Sequence, residues 1–161
     1  MFIVLGRFFL FIFAIFLTNC STVFYANKGI NFKDKRVGIQ RFNIIKTPTY
    51  DKQPEVSRLE TEAFYPYLIE AGFDVYNVQF DESLDMKEVL SKAESLNLDY
   101  ILTGSELVNM QKSSVFIHNL TVKFVNTRTL KTDLSATFEG PSVRINGVAK
   151  RIGKKIVSRV K

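Results

Sequence analysis

Cys20 and His118 are each the only residue of their type in the chain, and they are the side chains most readily recruited as nucleophile, base or soft metal ligand near neutral pH. One thiol cannot build an internal disulfide framework. Metal sites need clustered ligands, and His118 has neither a cysteine nor paired carboxylates beside it in sequence. It is therefore expected to be structural or solvent-facing, with no metal and no other cofactor. Cys20 is left as a lone thiol whose position has to explain it.

Other chemistry is sparse. Asp81, Glu82, Asp85 and Glu88 form an acidic cluster, but Asp85-Met86-Lys87-Glu88 has capping-box spacing, so a helix start explains Asp85 and Glu88. The sequence holds no glycine-rich phosphate loop, nucleophile elbow or zinc-protease helix motif. The expectation is a protein that is not an enzyme. A hydrolase assembled from distant carboxylates would betray itself by a concave pocket holding carboxyls of perturbed pKa.

Charge supplies the last candidate site. The chain carries 22 basic against 16 acidic residues, a net charge of +6. Arg144, Lys150, Arg151, Lys154, Lys155, Arg159 and Lys161 fall in a final stretch without an acidic residue. One reading is a solvated helix face whose cations suit the helix dipole. The other is a patch in which Arg144, Arg151 and Lys155 meet anionic lipid or wall polymer.

The elements that position these residues begin with a leader. The run Phe8 to Leu17 has the length of a signal-peptide h-region, short of the roughly 20 apolar residues that span a bilayer. Counting from Met1 would bury Arg7, at about 2.5–3.5 kcal/mol near a helix centre. The segment Leu17-Thr18-Asn19-Cys20-Ser21 resembles a lipobox, the site at which bacterial lipoproteins are acylated on cysteine and cleaved before it. Gly or Ala usually precedes that cysteine. Asn19 is of the looser form that spirochaete lipoproteins often use. The resemblance implies a signal peptide over 1–19, an acylated Cys20 opening a tether over 20–34, and a domain over 35–161. Two or more acyl chains hold a protein stably at a membrane without a spanning helix. The tether would reach at most ~40 Å when extended.

Within the domain, Arg36 to Ile44 reads as a strand, followed by the proline-bearing loop Thr47 to Pro54. A helix starts near Pro54 or Ser57, where Ser57-Arg58-Leu59-Glu60 has capping-box spacing, with a kink or restart at Pro66 and an end at Gly72. Phe73 to Phe80 alternates as a second strand, a helix follows Asp85, and Leu98 to Leu107 reads as a central strand covered on both faces. Ser113 to Asn126 and Leu130 to Glu139 form a hairpin around Asn126-Thr127-Arg128-Thr129, and Gly140-Pro141-Ser142 opens a last amphipathic helix. The fold class is α/β: one three-layer domain with a mixed five-stranded sheet in the order β-α-β-α-β-β-β-α.

That order, the strand Val37-Gly38-Ile39-Gln40-Arg41-Phe42, Ala71-Gly72-Phe73-Asp74-Val75, Leu98-Asp99-Tyr100-Ile101-Leu102-Thr103-Gly104 and the turn Val125-Asn126-Thr127-Arg128-Thr129 resemble a known group of envelope lipoproteins. It comprises the fold of the curli-secretion lipoprotein CsgG, the outer-membrane activators of peptidoglycan synthases and the amino-terminal domain of TolB. The resemblance implies a non-catalytic, membrane-anchored interaction or regulatory module in the cell envelope, with an envelope protein partner, self-association as a further option, and no nucleic acid. Partner contacts would fall on Thr47 to Pro54 or the turn at Asn126. The alternatives are a lipoprotein that binds wall polymer or a small ligand, with exposed tyrosines such as Tyr50 contributing, and an accessory component of a secretion complex. Ser21, in place of the aspartate that holds many lipoproteins at the inner membrane, tilts the location to the outer membrane.

Overall fold

Along one strand of the sheet, Tyr100, Leu102 and Val108 pack into one hydrophobic cluster while Ile101 packs into another, so both faces of this strand are apolar and both are covered. The computed structural model describes residues 21–27, 30–45, 53–111 and 114–160. Its elements are β1 Ser21–Ala26, β2 Arg36–Gln40, β3 Asn43–Ile45, α1 Gln53–Glu62, α2 Tyr65–Glu70, β4 Asp74–Phe80, α3 Met86–Ser95, β5 Tyr100–Gln111, β6 Ser114–Asn126, β7 Thr132–Arg144 and α4 Ile145–Val160. The seven strands form one mixed sheet, ordered β1-β7-β6-β5-β2-β4, with β3 alongside β5.

Three layers result. On one face Val37, Ile39, Leu102, Leu120, Val122, Phe124, Leu134 and Phe138 meet Phe64 and Leu68 around α2 and Val148, Ile152 and Ile156 of α4. On the other, Phe80, Leu98 and Ile101 meet Val89 and Ala93 of α3. The expected α/β domain stands, with seven strands in place of five. One extra strand arises because Arg41 and Phe42 interrupt the first predicted strand, dividing it into β2, parallel to β4 and β5, and β3, parallel to β5 alone.

The other extra strand corrects the expected tether. Ser21 to Ala26 pairs antiparallel with β7, from Ser21 opposite Glu139 to Ala26 opposite Leu134. Phe24 packs against the core, and Phe32 is buried among the rings of Phe73, Tyr100 and Phe124. The β-branched pair Thr22-Val23 and the aromatic pair Phe24-Tyr25 make a competent strand that turns Phe24 to the core and leaves Val23 and Tyr25 exposed. No reach of ~40 Å is left.

Local signals elsewhere behave as their chemistry dictates. Pro66 sits in the first turn of α2, where its missing N–H costs nothing, so the helix restarts as expected. Gly72 follows with φ 90°. Asp85 caps α3 in a complete capping box with Glu88. Ser57 caps nothing: it lies within α1, and its hydroxyl donates to the Phe42 carbonyl at 2.7 Å. Gly140-Pro141-Ser142 continues β7, and α4 opens at Ile145. Among the described residues β1 pairs no further along β7 than Glu139, so Pro141 removes no donor from a described β1 bond. The register of both β6 ladders shifts at His118, making it the extra residue of a bulge.

Gly153 on α4 faces α2 so closely that a Cβ would overlap Cβ and the ring root of Tyr67. Gly153→Ala is expected to destabilise the domain by about 1–3 kcal/mol through overpacking, overriding the ~1 kcal/mol that alanine gains in helix propensity. A urea melt checks it.

Candidate functional site

The described residues contain no group of three histidine, cysteine, aspartate or glutamate side chains able to hold a metal. In the acidic cluster every carboxylate has a structural partner. The hydroxyl and the backbone N–H of Ser83 both donate to Asp81 and hold its carboxyl below the usual range, helped by Arg41. Arg41 also stands 3.6 Å from Glu82, and Asp85 and Glu88 cap α3. His118 is half-buried at its bulge.

Two surfaces of the molecule have shape or charge to offer. The first is a cavity of 290 Å³ on the α3 side of the sheet, lined by Gln40, Arg41, Glu82, Thr103, Ser105 and Lys123 among others. Gln40 braces it, donating to the Leu84 carbonyl at 2.9 Å and accepting from Thr103 at 3.0 Å. Its walls are hydroxyls, amides, two cations (Arg41 and Lys123) and one carboxylate (Glu82), suited to a small polar ligand and without a cysteine or histidine.

The second surface is the β1 edge. Lys155 Nζ donates to the Thr22 carbonyl at 2.7 Å, and the Arg151 guanidinium lies 5.8 Å from the centre of the Phe138 ring, whose residue is the ladder partner of Thr22. Two of the three basic residues singled out from sequence therefore meet beside the strand that follows Cys20. Arg144 is exposed at the far end of β7, about 15 Å further along the strand direction. Cys20, Thr47 and Tyr50 lie outside the described residues.

The Asn126 turn points to the opposite end of the sheet. Asn126 Oδ1 accepts from the N–H groups of Arg128 and Thr129, both at 3.0 Å, while its amide donates to Asp133 at 3.3 Å. Asp133 also accepts from Tyr100 and from Asn27. Burial pushes the Tyr100 phenol up to about 12. An aspartate at 126 would set a second anion against Asp133 and lose the amide donor. The turn is rigid, and Leu130 at its tip is 64% exposed with φ 58°.

Sequence reasoning missed two buried carboxylates. Glu60 and Glu106 are fully buried, and none of their oxygens has a hydrogen-bond partner. The signal was present: Glu106 falls in the alternation Tyr100, Leu102, Gly104, Glu106, Val108, and Glu60 lies three residues past Ser57 on the inward side of α1. Burial raises the Glu106 carboxyl from 4.5 to about 8. Below pH 4.5 folded and unfolded chains are both protonated there; above it the unfolded chain ionises first, so stability falls as pH rises from about 4.5 to about 8 and then levels. Glu106→Gln is expected to come close to the wild type near pH 4.5 and to exceed it by about 4 kcal/mol at pH 8. Urea melts at the two pH values measure the difference.

No family model and no curated protein matches the sequence. Solved structures do. The PelC dodecamer from Paraburkholderia phytofirmans is similar at a TM-score of 0.54, with 15% identity over 88% of this chain and 94% of that one. The LpoB C-terminal domain from Escherichia coli is similar at 0.50, with 13% identity over 72% of this chain and 86% of that one. Lipoprotein GNA1162 from Neisseria meningitidis superposes at 0.47, with 14% identity, over 78% and 97%. At the identities of PelC and LpoB the likeness is one of fold: this chain has the mixed α/β architecture of those two bacterial proteins.

Proposed function

We propose that this chain is a lipid-anchored module of the bacterial cell envelope, acylated on Cys20, which works by binding a protein partner and not by catalysis. One observation carries the reading: the only cysteine closes an apolar leader, and an edge strand of the folded domain begins at the next residue. In sequence the thiol has no second cysteine and no nearby histidine to act with, whereas acyl chains there would moor the domain. The described residues include no helix long and apolar enough to cross a membrane. The fold is one that PelC and LpoB share, and the outer-membrane location is proposed on Ser21 alone.

The partner surface is the Asn126–Leu130 turn. It stands at the end of the sheet away from Ser21, its backbone is fixed by side-chain hydrogen bonds, and it presents Leu130. A rigid apolar tip loses little entropy on binding, which is the condition for a small anchor residue to contribute affinity. A second reading, binding of a small polar ligand or wall fragment, is favoured by the 290 Å³ cavity and separated by calorimetry with wall fragments.

Mass spectrometry of the full chain made in a bacterial host is expected to show cleavage before Cys20 together with added fatty acid. Cys20→Ala is expected to remove both changes. An intact leader with a bare thiol overturns the anchor. For the partner, a photo-crosslinker replacing Leu130 should capture an envelope protein that the same group at Lys92 on α3 does not.

A further inference from the structure

We infer that the domain lies edge-on against the leaflet that holds it, with β1 and the Arg151–Lys155–Arg159 flank of α4 resting on anionic lipid headgroups. This rests on acylation of Cys20 and adds to it an orientation and a lipid class.

The argument starts from distance. Thr22 is two residues from Cys20, so their Cα atoms are at most about 7 Å apart, and the Lys155 ammonium is 2.7 Å from the Thr22 carbonyl oxygen. Chain connectivity places a cation of α4 within about 12 Å of the Cα of residue 20, on the scale of the Debye length of about 8 Å at physiological salt. Such a charge feels the headgroups whatever else the domain does.

The neighbouring geometry extends the contact. Residues 151, 155 and 159 are spaced by four and share one side of α4, and all three are exposed. They cover about 12 Å of helix, running beside β1. No acidic residue occurs anywhere on α4. The nearest carboxylate on the adjoining strand, Glu139 opposite Ser21, projects from the other face of the sheet and accepts from Asn119 at 3.2 Å. Arg151 has a partner of its own within the fold, and Lys155 and Arg159 keep the flank basic, whereas an ordinary solvated helix face mixes signs.

Backbone chemistry points to the same surface. Among the described residues β1 is the terminal strand of the sheet and its outer row of N–H and C=O groups has no ladder partner, and Lys155 supplies a donor to one of those carbonyls. Exposed strand edges invite pairing with another chain unless covered or charged. Hydrated phosphates and the Lys155 ammonium cover this one. The opposite arrangement, with the Asn126 turn toward the bilayer, would need a tether that β1 has absorbed into the sheet.

The test uses the full acylated protein reconstituted in vesicles of phosphatidylcholine alone and of phosphatidylcholine with phosphatidylglycerol. Lysine acetylation by a water-soluble ester is followed residue by residue. In about 0.05 M salt, acetylation of Lys154 and Lys155 is expected to slow roughly three-fold or more on the anionic vesicles and to recover in about 0.5 M salt, while Lys92 and Lys131 are unchanged. Arg159→Glu is expected to shrink the protection without releasing the protein from either vesicle. Failure to float with neutral vesicles overturns the anchor and this orientation together. Flotation with equal acetylation on both lipids overturns the orientation alone. Protection on both lipids that grows with protein density, with cross-links between copies, also overturns it and assigns the edge to a second copy of the chain.

Discussion

The backbone ladder between β1 and β7 is the constraint from which the rest of the molecule follows. β7 spans thirteen residues, and Leu134, Ala136 and Phe138 point from it into the core. Left as an edge it would be long and ready to pair with another chain. Closing it with Ser21–Ala26 carries the chain to the sheet boundary one bond after Cys20 and brings Thr22 under α4. The first edge residue, the basic helix and the lipidation candidate are neighbours because one strand had to be covered.

The inner side of α1 is a different kind of packing. Ser57 and Thr61 hydrogen-bond to the carbonyl and the N–H of Phe42, so two side chains serve the backbone left unpaired where β2 gives way to β3. Glu60 on the same side finds no hydrogen-bond partner, and Glu106 is likewise alone. A carboxyl held neutral by burial opposes folding at neutral pH. The domain tolerates this because its aromatic core is dense around Phe32, Phe73, Tyr100 and Phe124, where ring pairs at 5.3 to 6.4 Å add directional contacts to area burial.

Legibility in the sequence followed the range of the interaction. Local chemistry was readable: the Asp85 cap, the restart at Pro66, the end at Gly72 and the two-faced apolar character of β5 all come from residues within a turn or a strand of one another. Pairings between distant residues were not. Thr22 and Phe138 are ladder partners far apart in sequence, and nothing local distinguishes a six-residue tether with alternating apolar groups from a six-residue edge strand. Ser57 and Glu60 had the spacing of a capping box, yet the helix begins earlier and the same spacing places both on its inward side. The candidate site divided in the same way. Composition picked out the basic residues, while the contact that joins Lys155 to Thr22 exists only once the sheet is formed.

An anchor without slack changes what a binding module can do. A domain on a long flexible tether searches a volume, and its affinity for a partner is scaled by the effective concentration the tether allows. With Cys20 acylated as proposed, a domain whose first strand starts at the lipid would instead have a fixed height and, with basic residues beside the anchor, a restricted tilt. A partner would then have to present a matching surface at that height, so recognition would rest on geometry more than on reach. The rigid Asn126 turn suits this arrangement: Asp133, Tyr100, Asn27 and Asn126 hold it at the end of the sheet away from Ser21, and the same sheet transmits the orientation set at β1. Catalysis would ask for convergent reactive groups. Presenting a surface asks only that two ends of one stiff body stay in register, and a continuous ladder from β1 through β7 and β6 to β5 meets that requirement.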